Sequence, residues 1–339
     1  MFDLITTLLK YSFAWLVMLF AILVAIFSES ATFYILNMFK RQTKEKAEMN
    51  PINFIKVQYN NKVVLPDSAV VLVVLLGPVF AFAALLPICS AIPYFSFIPI
   101  MHNSSDLLQI SQFFILSDTL AIVSVYALGT KNSEAVAKNM SIKSLYLILS
   151  LLAFFTVVAT YTEFCGSVTD VFRLNTFTNF STVNTLSTVI YVTMFVFAFL
   201  ILSQLPHENF KTAKYFLNNE LLTEYQGAPR LIMSLWSLFR SFIIAALIVV
   251  IISPLPNVPA TFQPWGISWI SQFINFLFFW IALIFTRIFV ISVSWVLFDK
   301  VESIVPRRLS KFLVPILILI LTSLILIGIF ILSSDVASF

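Results

Sequence analysis

Cysteine and histidine are almost absent, two of each in 339 residues. Cys89 sits inside an apolar run, Cys165 in a polar connection, and His102 and His207 at unrelated positions. A zinc site or an iron–sulfur cluster generally needs about four suitably spaced Cys or His ligands. None are available, so any metal chemistry has to sit on a partner. With two histidines at unrelated positions, the His clusters of an integral membrane enzyme are not expected either. Charge is also short, at 11% of residues, and glycine numbers 6. Soluble domains carry about 25% charged residues. A chain this poor in charge is not built for water on all sides, nor for nucleic acid.

What fills the space is apolar. Hydrophobic residues make up 60% of the chain, 37 residues are Phe, and the mean hydropathy is +0.98. This is the composition of a protein that uses lipid as its main solvent. A bilayer-spanning helix needs roughly 20 mainly apolar residues. Eight runs qualify: Tyr11–Phe27, Ser68–Phe95, Leu107–Leu128, Leu145–Thr162, Leu186–Leu205, Leu231–Ile252, Ile270–Phe298 and Phe312–Leu332. None alternates as a barrel strand does, so helices are the spanning element. The first run has no small-residue cleavage site, and Asp3 opposes a basic leader, so a retained helix is expected. The fold class is an all-α integral membrane protein of about eight transmembrane helices, read as one polytopic domain over residues 1–339.

Orientation follows from the basic residues. The first connection carries Lys40, Arg41, Lys44, Lys46, Lys56 and Lys62, and the third Lys131, Lys138 and Lys143. The fifth carries Lys211, Lys214 and Arg230, and the seventh Lys300, Arg307, Arg308 and Lys311. The even connections hold only Arg173. The odd connections are therefore expected on the cytoplasmic side, with both termini outside. Ala91–Asp106 and Ser253–Ile267 are rich in Pro and aromatic residues, and Trp265 and Trp269 suit an interfacial belt.

Three charges fall inside the expected spans: Asp118, Arg240 and Arg287. An ionisable group at mid-bilayer costs a few kcal/mol or more and normally faces a partner or a water-filled cavity. Asp118 is a candidate for an ion path. Arg240 and Arg287 are expected nearer the cytoplasmic half, where snorkelling lowers the cost.

The fifth connection reads Gln204-Leu205-Pro206-His207-Glu208 and then, from Glu220, Glu-Leu-Leu-Thr-Glu-Tyr-Gln-Gly. Glu220 and Glu224 are four residues apart and share a face if the segment is helical. Read by itself, this is a solvated connection with surface ion pairs. It also resembles the fifth-loop signature of the quinone-site membrane subunit of respiratory complex I and its relatives in group 4 hydrogenases. In that family an R-x-P-F-D element precedes a run of acids ending in E-Y-S-G. Here Pro206 and Glu208 stand for the first element and Glu224-Tyr225-Gln226-Gly227 for the second.

Other segments agree in order. Phe54-Ile55-Lys56 with Lys62 and Pro66, then Leu76-Gly77-Pro78, is similar to the family's L-K-L…K…P…A-P stretch. Asp106-Leu107-Leu108 through Ala127-Leu128-Gly129-Thr130 resembles D-L-L…A-L-D-T-G of the hydrogenase-4 and formate hydrogenlyase type. Lys138-Asn139-Met140 stands where that branch has R-E-M, and Glu302-Ser303 with Arg307, Arg308, Lys311 and Pro315 resembles its last loop. The Q-R-R-x-G-P loop has no counterpart. Gly129 replaces an Asp, Asn139 replaces a Glu, and Lys211, Lys214 and Tyr215 occupy the acid run. None of these replacements is a proton carrier of the carboxylate kind.

The resemblance implies a non-catalytic membrane anchor and coupling subunit of a redox-driven ion pump in a prokaryotic inner membrane. It has no cofactor of its own. Iron–sulfur centres, and in the hydrogenase branch nickel–iron, are expected on partner subunits. Those partners are a cytoplasmic hydrogenase- or dehydrogenase-like large subunit, an iron–sulfur small subunit and antiporter-like membrane subunits. The coupling and docking residues it implies are Glu208, Glu220, Glu224, Tyr225 and Glu302, with Asp118, Arg240 and Arg287 as intramembrane candidates. The alternative is a stand-alone secondary transporter or channel, with a mid-membrane site on helices broken at Gly77-Pro78 and Pro87.

Overall fold

The computed structural model describes residues 19–28, 30–31, 56, 59, 61–92, 107–164, 201, 227–252 and 277–289. The elements among them are α-helices: α1 (Leu19–Ser28), α2 (Val71–Ala91), α3 (Leu107–Tyr126), α4 (Lys131–Phe164), α5 (Ala228–Ile252) and α6 (Leu277–Phe289). Four of these, α2 to α5, are long and apolar enough to cross a membrane. At 1.5 Å per residue α3 is about 30 Å long, the thickness of the hydrocarbon core. The expected eighth run, and all of the fifth but Ile201, lie outside the described residues. So do the count of eight and the side on which the termini lie.

The helices carry their polar groups inward and their bulk outward. On α3, Ser111, Ser117, Asp118 and Ser124 are buried at helical spacing, while Leu108, Ile115, Leu116 and Val123 are exposed. On α1 the inward stripe is Ala21, Val24, Ala25 and Ser28, with Phe20, Leu23 and Phe27 outward. In water this pattern would leave the apolar surface unpaid for by any burial; in lipid, small and polar residues belong at helix contacts and large apolar ones face the tails. α5 is the central element: from Phe242 to Ile251 every side chain is buried. It packs on α2 partly through Phe82 and Phe239, whose ring centroids are 5.2 Å apart.

Three connections meet at one end of the bundle. The backbone N–H of Val70, ahead of α2, donates to the Ala127 carbonyl at the end of α3 (2.8 Å). The Ser68 hydroxyl donates to the Leu128 carbonyl (3.0 Å). Orphan groups of one helix start thus satisfy those of a neighbouring helix end. Gly129, at φ +68°, turns the chain there, with the Ser68 carbonyl oxygen 2.8 Å from where a Cβ would stand. Gly227, at φ +83°, precedes α5 and lies against the Lys62 and Asn61 carbonyls in the same way. The described parts of the first, third and fifth connections therefore share one face, as the basic pattern requires.

Two expectations are corrected. The expected span from Leu145 starts late: α4 begins at Lys131. Thr130 caps it, its Oγ1 accepting from the Ser133 N–H (3.1 Å) while the Ser133 hydroxyl oxygen accepts from the Thr130 N–H (3.0 Å). This reciprocal cap starts the helix before the apolar run begins. Glu134 in the first turn complements the helix dipole. Second, the breaks that the transporter alternative would place at Gly77-Pro78 and Pro87 are not there: α2 runs unbroken through both prolines, as its single apolar run implies. Packed neighbours tolerate prolines in membrane helices by supporting the backbone around them.

Candidate functional site

Where α3, α4 and α5 meet, the bundle interior holds an ion pair. Asp118 lies eight residues from the end of α3 and eleven from its start. It is therefore about 12 Å from one end and about 17 Å from the other. Its side chain is 2% exposed, and that of Arg240 on α5 is 16% exposed. Arg240 grips the carboxylate with both arms of its fork. Nε donates to Oδ1 at 2.6 Å and Nη2 to Oδ2 at 2.5 Å. Ser144 on α4 adds a third donor, its hydroxyl bonding to Oδ2. A bidentate guanidinium–carboxylate contact is the strongest of the side-chain pairings and fixes both planes. At this depth it also removes the cost of leaving either charge alone in hydrocarbon.

A second set of bonds supports the first. Trp236 lies one turn before Arg240 on α5, and its Nε1–H donates to the Ser117 hydroxyl (2.8 Å). Ser117 in turn donates to the Ala81 carbonyl on α2 (2.7 Å). The Arg240 guanidinium carbon stands 5.7 Å from the centroid of the Trp236 ring, within range of a cation–π contact. Adjacent residues of α3, Ser117 and Asp118, are thus read by residues four apart on α5. Four helices are tied at one level.

Of the candidate residues, Asp118 and Arg240 are brought together. Arg287 is 5% exposed on α6. Glu208, Glu220, Glu224, Tyr225 and Glu302 lie outside the described residues. Of the fifth-loop signature, only its last residue, Gly227, is described. The partnership of Asp118 with Arg240 is a finding of the tertiary structure, and it replaces the expectation that Arg240 snorkels toward the surface. The residues that complete the site, Ser144 and Trp236, carry no charge, and the span expected from Leu145 left Ser144 just outside it. The available signal was the pairing of one acid with an arginine in another span, with Trp one turn away. Among the described residues no group of three or more His, Cys, Asp or Glu could hold a metal ion.

No family model matches the sequence, and no curated protein matches it. Among solved structures, the chain is similar to a chain in the structure of the membrane-bound sulfane sulfur reductase, an archaeal respiratory membrane complex. The match has a TM-score of 0.55 and 14% sequence identity, and it covers 84% of this chain and 90% of that one. At this identity the likeness is one of fold. This is a multi-pass membrane protein that shares its fold with a chain of a respiratory membrane complex.

Proposed function

We propose that this chain is the membrane subunit that anchors a cytoplasmic redox module in a complex I-like assembly and couples it to the membrane arm. The observation that carries the reading is the shared fold, which runs through nine-tenths of a chain from a respiratory membrane complex. The ordered motif resemblance across the connections supports the same reading independently. So does the gathering of the first, third and fifth connections at one end of the bundle, which makes a single docking face. On this reading that face is cytoplasmic, in a prokaryotic inner membrane. The large subunit and the iron–sulfur subunit dock there, and antiporter-like subunits lie beside the helices.

In this role the chain's own residues do two things. Glu208, Glu220, Glu224 and Tyr225 on the fifth connection, with Glu302 on the seventh, contact the redox module. Their charge responds to its reduction, which is the coupling step. A carboxylate can do this because a change of nearby charge shifts its proton affinity. The iron–sulfur centres, and nickel–iron in a hydrogenase-type assembly, supply electron transfer on the partners.

The test is affinity purification of a tagged copy from native membranes in mild detergent, with mass spectrometry of what accompanies it. Stoichiometric recovery of a large subunit, an iron–sulfur subunit and antiporter-like proteins is expected. Glu224→Gln should then uncouple ion movement from electron transfer. Recovery of the chain alone, folded and homogeneous, would refute the anchor role and turn attention to a stand-alone transporter.

A further inference from the structure

We propose that Asp118 and Arg240 form an interhelical latch, and that the pair fixes the central helix instead of passing an ion through the membrane interior. The argument starts from α5. Its buried stretch from Phe242 to Ile251 is wholly apolar, and such a helix is as much at home among lipid tails as among other helices. Apolar burial therefore gives it little reason to hold one rotation or one depth; directional polar bonds have to set those. One short segment of α5, Trp236 and Arg240, makes such bonds to another helix. Both meet α3, at consecutive residues. Because Ser117 also bonds α2 and Asp118 also bonds α4, the same segment sets the positions of three neighbours.

The surroundings fit a latch better than a relay. Both carboxylate oxygens are occupied, with three donors between them. A proton relay needs hydroxyls or waters bonded to one another along the path. Yet beyond Ser144, which bonds the carboxylate, and Ser117, which bonds the α2 backbone, other serines of α3, α4 and α5 bond the backbone of their own helices. Ser111 donates to the Leu108 carbonyl, Ser150 to that of Tyr146 and Ser234 to that of Arg230. Each of these hydroxyl protons is spent on a local carbonyl. The guanidinium also places a fixed positive charge beside the carboxylate, which opposes entry of a metal cation.

What the site requires on this proposal is a matched pair and not a carboxylate. The test is a double-mutant cycle in the full-length tagged chain, in its native membranes: Asp118→Asn, Arg240→Gln, the two together, and the exchange Asp118→Arg with Arg240→Asp. One readout is the temperature at which the solubilised protein loses its monodisperse size-exclusion peak. The other is dye-reported acidification of inverted membrane vesicles energised with reduced methyl viologen. Each single change strands a buried charge and should lower the melting temperature by about 5–10 °C. At least one of the paired variants should regain half of that loss or more, together with acidification. Unchanged stability in the singles, or losses that simply add in both paired variants, would overturn the latch. So would a paired variant that melts like the parent but no longer acidifies, since that would make the carboxylate an ion carrier. The second readout rests on the proposed redox-coupled role. If vesicles of the parent acidify nothing, that role fails while the stability cycle still decides the latch.

Discussion

Replacing Gly77 by alanine would put a methyl carbon 2.6 Å from Cβ of Ser124, 3.1 Å from its Oγ and 3.4 Å from its Cα. Non-bonded carbons rest at about 3.5–4.0 Å. Ser124 cannot give way by changing rotamer, because its Cβ is fixed by the backbone. α2 and α3 must therefore part by about 1 Å at this crossing. One turn along α2, the Ala81 carbonyl accepts the Ser117 hydroxyl at 2.7 Å. The same separation would carry that bond beyond about 3.5 Å, where it ceases to be one. Overpacking costs about 1–3 kcal/mol and the lost buried bond about 1 kcal/mol. Alanine's better helix propensity returns up to about 1 kcal/mol. The net expectation is a loss of about 1–3 kcal/mol. It would be read as an earlier thermal loss of the monodisperse peak in detergent. Adding Ser124→Gly removes the atom responsible and should restore most of the difference, as coupling between touching residues demands. Gly77→Ala as stable as the parent would refute the close-packing argument, as would a Ser124→Gly background that recovers nothing.

Gly129 holds φ +68°, so Gly129→Ala should cost about 1–2 kcal/mol from the dihedral alone, with more from the Ser68 carbonyl 2.8 Å away. Thermal unfolding checks it, and no change would mean the turn relaxes freely. Thr130→Ala removes the acceptor for the Ser133 N–H and should cost about 1 kcal/mol; amide exchange in the first turn of α4 should quicken, and exchange there at the parent rate would count against the cap. Trp236→Phe keeps a ring beside Arg240 but loses the bond to Ser117, an expected cost of about 1 kcal/mol. Trp236→Leu also loses the cation–π contact and should be worse by about 0.5–2 kcal/mol; equal melting temperatures for the two variants would remove that contact from the account.

The position of the spans was legible because lipid imposes a one-dimensional rule. About 20 apolar residues in a row have to be a helix, whatever surrounds them. The runs at Leu107 and Leu231 match α3 and α5 to within three residues at the first end and two at the last. The rule fails where a helix continues past the lipid. α4 starts at Lys131 because Thr130 and Ser133 cap each other, and hydropathy is blind to a cap. The rule held through Pro78 and Pro87, where α2 runs unbroken as the single apolar run implies.

Sequence alone determined that this chain lives in a membrane, where the four long described helices lie and that the first, third and fifth connections share a side. Each follows from composition and from charge order along the chain, which need no partner in space. The three motif glycines at 77, 129 and 227 were visible too, but not their reason, which is a neighbouring segment standing where a Cβ would go. Only the tertiary structure decided that Asp118 faces Arg240, 122 residues further on. A charge in hydrocarbon has to find a partner, but which partner depends on the rotation and depth of two separate helices. Those are set by contacts between helices far apart in the chain, and no local pattern in the sequence encodes them.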